Sequence, residues 1–401
     1  MPNIRVAQLV CEFFDETLRL NRALGGYGML ARNYIAHFLP DGDLQVETIL
    51  GYNNAPEVDI ATVDRDKKVV LLPAQAPYSR FQRLPGVRGF KRRAYLGVLS
   101  RILSRFDVFL SVETMPYGPL VMKCAFPKKL ILYVQDPRPQ SEWDELDTVV
   151  ATDDGSPRPS QEIRAFYKSL IEQGRLIAIS QGSDLIGKAR DLYGLPQDFP
   201  IRIVRNPVIV EKESDPDLGV KEDAVLFLGR LDPVKRPWLA LEIARRMPDV
   251  QFYFLGKLVD KMVPYIIYNY RDLPNVKMLG HQAGNAKAEL LRKCKILLNT
   301  SIHEAIPVSF LEALANGTLI VSCQNPDNMV SQYGAFTGKV LGDGRDQAGL
   351  FVDAIRGLLN HEDARRDLAR KGRDHVIANH DVNSWVKDMR QVVREAVSPK
   401  T

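Results

Sequence analysis

Short apolar runs of strand length alternate with amphipathic stretches of helical period along most of the chain. In the first half the strand-like runs are Ile4–Val10, Leu44–Leu50, Val69–Leu72, Val108–Val112, Leu130–Val134, Leu176–Ile179 and Ile201–Val204. Helical pattern falls between them near Met29–Phe38, Tyr95–Arg105, Gln161–Gln173 and Asp184–Tyr193. In the second half Ala224–Leu228, Gln251–Leu255, Val276–Met278, Ile296–Leu298 and Leu319–Val321 alternate with helical stretches at Pro237–Arg246, Lys287–Lys293, Val308–Ala315 and Gln347–Leu359. Such alternation predicts α/β architecture, with parallel sheets covered by helices on both faces. The rhythm breaks at Asn206-Pro207-Val208 and in the charged, helix-poor stretch Glu211–Asp223. With 401 residues and 45% hydrophobic content there is material for two cores. The expectation is therefore a first domain over 1–208, a second over 209–378, and a terminal segment 379–401 whose helix, near Ser384–Ala396, packs back on the first. Two doubly wound domains would face each other across a cleft, with ligands at the carboxyl ends of their strands.

Charge and cysteine usage narrow the class. The net charge of +5 gives no global footprint for nucleic acid. Cys11, Cys124, Cys294 and Cys323 are far apart and form no C-x-x-C pair, which suits a reducing compartment and neither a disulfide framework nor a zinc site. Met1–Val10 lacks a basic region followed by a long apolar run and looks like a first strand, and no apolar run reaches membrane-spanning length. The expected setting is cytoplasmic.

Within this frame the segment Ser301–Ser322 is the most informative. An apolar strand ending near Leu298 leads into a polar loop, then a short helix for which Pro307 is suited to the first helical position. Asn316-Gly317 closes that helix, and Thr318–Val321 reads as the next strand. A helix N-terminus in this setting points free N–H groups at an anion. Glu304 before the helix and Glu312 within it place a carboxylate on either side, and carboxylates accept hydrogen bonds from ligand hydroxyls. The local chemistry suits a polyol attached to a phosphate.

The second domain opens on Ala224–Pro237, where a strand ends at Gly229 and a helix begins at Pro233 or Pro237. Arg230, Lys235 and Arg236 then cluster near a helix N-terminus, where the dipole disfavours cations. A bound polyanion would resolve the conflict; side chains extended into solvent would do so too.

Gly-Arg-Leu-x-x-x-Lys at Gly229–Lys235, followed by Glu304-x7-Glu312 and a Gly-closed helix and strand, resembles the retaining glycosyltransferases of family 4. The resemblance extends to the Gly25-Gly26-Tyr27-Gly28 loop, the Ser180-Gln181 strand end and the Asn206-Pro207-Val208 boundary. It implies the GT-B architecture, two Rossmann-like domains, and a nucleotide diphosphate-sugar donor with a UDP, GDP or ADP moiety. By the same resemblance Arg230 and Lys235 bind the donor diphosphate, Glu304 the sugar hydroxyls and Glu312 the ribose. The backbone at Gly229, Ile306, Pro307, Val308 and Ser309 lines the donor, His281 in Leu279–Gln282 lies at the base, and Gly25 and Gly26 approach from the first domain. No metal or cofactor is implied, because cations and a helix end stabilise the leaving diphosphate.

Two departures matter. Where relatives carry glycines between the first Glu and the helix, this chain has Ala305-Ile306-Pro307, which narrows backbone freedom. Where many members carry His-Asp after a first-domain strand, this chain has Gln135-Asp136. Gln cannot take up a proton, so Asp136 remains to orient an acceptor hydroxyl or to cap the turn.

Other readings share parts of this pattern. Gly26-Tyr-Gly28-Met-Leu-Ala31 fits the G-x-G-x-x-A of NAD(P) oxidoreductases, but Cys11–Leu24 intervenes after the first strand. A 2-epimerase or a non-catalytic sugar-nucleotide-binding protein would use the same motifs. The Asp-x-Asp pairs Asp41/Asp43, Asp64/Asp66 and Asp215/Asp217 lie in polar segments and read as solvated surface. His303, beside Glu304, reads as a pocket wall or a partly exposed loop residue. Finally, Arg80–Arg105 holds eight basic residues and no acid, interleaved with aromatic and aliphatic side chains. This predicts peripheral, salt-sensitive association with an anionic membrane surface beside a lipid-linked hydroxyl acceptor.

Overall fold

A computed structural model of the protein describes residues 3–10, 26–50, 63–64, 69–71, 96–149, 158–210, 221–260, 263–282 and 284–398. Its strands are β1 Ile4–Val10, β2 Leu44–Leu50, β3 Val63–Asp64, β4 Val69–Leu71, β5 Val108–Val112, β6 Lys129–Val134, β7 Leu176–Ser180 and β8 Ile201–Ile203, then β9 Glu222–Leu228, β10 Gln251–Leu255, β11 Val276–Gly280, β12 Cys294–Asn299, β13 Leu319–Ser322 and β14 Gly334–Phe336. They fall into two compact units. One comprises Met1–Arg138, Pro157–Val204 and Asn383–Thr401, and the other Pro139–Ser156 and Arg205–Val382.

The first unit is built on the sheet β3-β4-β2-β1-β5-β6-β7-β8, parallel except for the β3–β4 pair. Its central strands are apolar on both faces, with β5 wholly buried and β6 buried except at its half-buried first residue. The helix Val382–Val397 packs in this unit. Trp385 is buried, donates to Tyr133 Oη at 3.3 Å and meets Tyr34 edge-on. Arg390 and Arg394 of the same helix pair with Asp41 and Asp43, so this Asp-x-Asp pair is engaged by arginines.

The second unit is the all-parallel sheet β11-β10-β9-β12-β13-β14. Successive residues of β9 point to opposite faces, as strand geometry requires. Val225 and Phe227 join Trp238, Phe254 and Phe351 in one core; Ala224 and Leu226 join Phe310, Leu314 and Val376 in the other. Both faces are thus buried under helices, and the α/β architecture of doubly wound parallel sheets in two domains expected from the alternation is the fold found. The periodicity also located Val308–Ala315 and Asp184–Tyr193 to the residue.

Two glycines allow close strand approaches in the second sheet, Gly256 at its carboxyl edge and Gly334 at the start of β14. A Cβ on Gly256 would lie 1.7 Å from the Gly229 carbonyl oxygen. Without it, Gly229 N reaches Leu255 O at 3.0 Å and Gly256 N reaches Gly280 O at 2.8 Å, drawing the ends of β9, β10 and β11 together. A Cβ on Gly334 would lie 2.1 Å from Ile320 O, so β14 closes on β13 for the same reason.

Candidate functional site

At the carboxyl end of β9 the chain turns through Gly229 and Arg230 into a short 3-10 segment, Pro233–Lys235. Asp232 caps it, its Oδ1 accepting from Lys235 N at 3.1 Å, and its Oδ2 stands 3.0 Å from Arg230 Nε. The α-helix Pro237–Arg245 follows. Between them Arg236 takes φ 45° and ψ 58°, the left-handed region. That turn sends its side chain inward.

Arg236 is a correction to the basic cluster read from the sequence. It is fully buried and binds carbonyls, not a polyanion. Its guanidinium donates to Thr300 O (2.7 Å), Val340 O (3.0 Å), Gly342 O (2.9 Å) and Ser301 O (3.3 Å), with Cys323 Sγ at 3.2 Å. Five donors in a planar fork suit that ring of acceptors, and Lys could not supply them. The pinned segment is the loop after β12. Thr300 Oγ1 returns a bond to Lys235 O at 2.8 Å, and Ile302 N donates to Val234 O at 2.8 Å.

This zipping places Lys235 against Glu304, with Nζ 2.6 Å from Oε1. Asn299 Nδ2 (2.8 Å) and Ser301 Oγ (2.6 Å) donate to the same oxygen, and none of the three bonds uses Oε2. Asn299 is itself fixed, its Oδ1 accepting from Ser322 Oγ at 2.9 Å. Burial pushes the Glu304 carboxyl up, but the Lys235 charge and the three hydrogen bonds outweigh it and hold the group below the ordinary carboxylate range. Glu304 is therefore an anion at neutral pH.

The helix Val308–Ala315 starts four residues on. Pro307 is its N-cap, extended at φ −67° and ψ 136°, so the first helical residue is Val308 and not the proline. Pro307 offers no side-chain cap, which leaves the Val308 and Ser309 amides at a half-exposed helix N-terminus. Ile306 is buried beneath it. Glu312, one turn further, pairs with Lys287 of the Asn285–Lys293 helix at 2.5 Å. His281 is exposed just past β11, at the edge shared with Gly229. Arg230, Lys235, Glu304, Glu312, His281 and the 306–309 backbone thus all belong to the second unit. Sequence reasoning missed Lys287, Asn299 and Ser301, the polar partners that pair the two acids.

His303 is not the partly exposed loop residue that the sequence allowed. It is buried, and its Nδ1 meets Glu142 of the Gln140–Val149 helix. Trp143 and Leu146 of that helix pack on Val234 and Ile302. The back of the site loop is thereby held by a segment lying far earlier in the chain.

Asp136 and Gly26 belong to the first unit, and Gly25 lies outside the described residues. Gly26 opens a helix over Gly26–Met29, and a Cβ there would touch nothing within 4 Å. Asp136 follows β6 and is partly exposed, with Oδ2 3.4 Å from Arg138 Nη2. Its amide and that of Gln135 are capped by Glu113, a residue not singled out from the sequence. Glu113 Oε2 accepts from Gln135 N at 2.9 Å and Asp136 N at 2.8 Å, and Oε1 from Thr114 N at 3.0 Å. Glu113 is fully buried, and burial outweighs these bonds to push its carboxyl up to about 7.

Comparisons with known proteins bear on this site. An uncharacterized glycosyltransferase of Methanocaldococcus jannaschii is 23% identical over 180 residues, covering 42% of this chain and 46% of the relative; the chain thus spans under half that relative's length. A glycosyltransferase from Rickettsia africae ESF-5 superposes with a TM-score of 0.66 at 13% identity, covering 99% of this chain and all of its own. HepE of Anabaena, solved in complex with UDP, superposes at 0.65 with 12% identity, covering 98% and 100%. Residues 210–375 match the family model for glycosyl transferases group 1, a span that contains Arg230, Lys235, Glu304 and Glu312. The structural likenesses show the GT-B fold, and the family match spans the part of the second unit that carries these residues.

Proposed function

We propose that the protein is a retaining glycosyltransferase that moves a sugar from a nucleotide diphosphate donor to a hydroxyl acceptor. The observation that carries this reading is the Lys235–Glu304 pair beside the Val308 helix N-terminus, within the segment that matches glycosyl transferases group 1. A cation, a carboxylate and free amides meet in one loop system, the three chemistries a sugar diphosphate needs.

In this reading Arg230, Lys235 and the amides of Val308 and Ser309 hold the diphosphate, Glu304 accepts from sugar hydroxyls and Glu312 from the ribose. The bond from the anomeric carbon to the diphosphate oxygen breaks while the acceptor oxygen bonds to the same face of that carbon. The acceptor's proton passes to the departing phosphate oxygen. Asp136 orients the acceptor hydroxyl, and the cations with the helix end stabilise the charge that develops on the nucleotide diphosphate. The complex of HepE with UDP favours UDP as the nucleotide to test first. Melting curves with UDP-, GDP- and ADP-sugars test the donor site. The matching donor at a hundredfold excess over its Kd adds about 2.7 kcal/mol of stability, and no shift with any of them would sink the assignment.

The acceptor is proposed to be a lipid-linked glycan at the inner face of a membrane, in cell-surface glycan assembly, a reading supported by family analogy and by the basic stretch 80–105. Arg80–Arg93 lie outside the described residues. Of the rest, Arg101 is exposed, while Arg105 is committed to Glu47 and stacks on Phe106. No described helix is long and apolar enough to cross a membrane. Sedimentation with anionic vesicles at low salt, reversed at high salt, is the expected result; protein left in the supernatant at low salt would overturn the membrane reading.

A further inference from the structure

The first unit spends a buried carboxylate on the strand ends that carry Asp136. Glu113 sits one residue past β5 at φ 67°, a conformation glycine would adopt freely and a side chain rarely does. Its own amide still donates to Tyr133 O at 3.0 Å, so the backbone leaves the ladder only at this residue. The turn sends the carboxylate across to β6, where Oε2 takes both the Gln135 and Asp136 amides. From the other side Gln181, past β7, donates through Nε2 to Gln135 O at 2.5 Å. Gln135 is therefore held at both its N–H and its carbonyl, and is buried between two side chains.

The position of Asp136 follows from this clamp. With its amide tied to Glu113, its carboxylate is turned out to a partly exposed position beside Arg138. Two orphan amides at a strand end could be satisfied by water or by a Ser or Asn cap at far lower cost. A fully buried carboxylate is expensive, and the upward push on its pKa reports that cost. Such expense, together with the left-handed backbone, suits a geometry that must not drift.

We infer that Glu113 is a positioning residue: its buried carboxylate fixes the Gln135–Asp136 strand end and thereby aims the Asp136 carboxylate at the acceptor hydroxyl. This rests on the reading of Asp136 as the acceptor-orienting group. Glu113→Gln is the isosteric test, because whichever way it turns its NH2 faces an amide that needs an acceptor, Thr114 N or the Gln135–Asp136 pair. Glu113→Gly relieves the backbone and removes the clamp, and serves if the glutamine variant folds poorly.

Two readouts decide it on the full chain. In amide hydrogen exchange, Gln135 and Asp136 should exchange at least tenfold faster in either Glu113 variant and at the wild-type rate in Asp136→Asn. In UDP release from a UDP-sugar with glycerol as the hydroxyl probe, Glu113→Gln should raise the glycerol KM and lower turnover about tenfold, with the Kd for UDP within twofold of wild type. The double variant with Asp136→Asn should be no slower than Asp136→Asn alone. Unchanged exchange overturns the clamp even if glycerol gives no turnover, and additive losses overturn action through Asp136. Faster exchange with an Asp136→Asn enzyme of full activity would leave the clamp standing and discard the reading of Asp136.

Discussion

Adjacent basic residues in this chain have opposite fates, decided by one backbone dihedral. Lys235 ends a 3-10 turn and faces Glu304, whereas Arg236, at φ 45°, is carried into the interior and surrounded by carbonyls. The two can be told apart by different measurements. Lys235→Ala and Arg230→Ala are expected to weaken UDP binding by about 1.5–3 kcal/mol, the range for charged hydrogen bonds, with nucleoside binding nearly unchanged; Lys235→Ala also lowers stability, because Glu304 loses its buried partner. Arg236→Met should instead lower stability by about 3 kcal/mol or more by leaving buried acceptors bare. The ratio of UDP to nucleoside affinity separates the classes, and an Arg236→Met protein of wild-type stability in urea would refute the structural role. Sequence composition made the three basic residues look alike because charge near a helix start is visible there and left-handed backbone at a non-glycine is not. Glu113 was missed for a related reason. It is one acid after a five-residue apolar strand, a position where parallel sheets gather ligands, yet nothing in the neighbouring letters says that it turns inward.

At the scale of elements, the strand pattern was legible almost to the residue because both faces of each sheet are buried and the apolar runs are continuous. β1, β2, β5 and β10 have the bounds read from the letters, and the edge strands β3 and β14, two and three residues long, had no pattern to read. Hidden from the sequence was the close approach at the carboxyl edge of the second sheet. Gly256 is an ordinary strand-end glycine in the letters, but its missing Cβ is what allows the Gly229 carbonyl to pass. Gly256→Ala should therefore cost about 3 kcal/mol or more, an overpacking penalty at the upper end because the obstacle is backbone, and should weaken UDP binding as Gly229 and Arg230 shift. A melting temperature within a degree of wild type would contradict the 1.7 Å approach.

Across the whole molecule, two buried groups set opposing slopes of stability with pH. His380 is enclosed, its Nδ1 donating to Asn206 O at 2.7 Å, and burial pulls its pKa down to about 4. Between about 4 and its unfolded value near 6.5 the unfolded chain holds the extra proton, so this contribution is present above 6.5 and lost as pH falls, by up to about 3 kcal/mol. Glu113, raised to about 7, holds its proton in the folded state over much of the same range and tilts the balance the other way. His380→Asn keeps a donor near Nδ1 and should remove the acid loss, so its urea midpoint should fall less between pH 7 and 4.5 than that of wild type. An equal fall in both proteins would exonerate His380.

Neither unit is a continuous stretch of chain. The second needs residues 139–156, whose Trp143 and Leu146 back the site loop, and the first needs the Val382–Val397 helix, whose Trp385 seals Tyr34 and Tyr133. On the ribosome, then, the Gln140–Val149 helix emerges well before the sheet it belongs to, and the first sheet is made long before its closing helix. Domains that fold as units do so as soon as their parts are available. Here the parts of both are complete only when synthesis has passed the far end of the second sheet, so the apolar faces of the nascent first unit must stay covered by other means for the time it takes to make about half the chain.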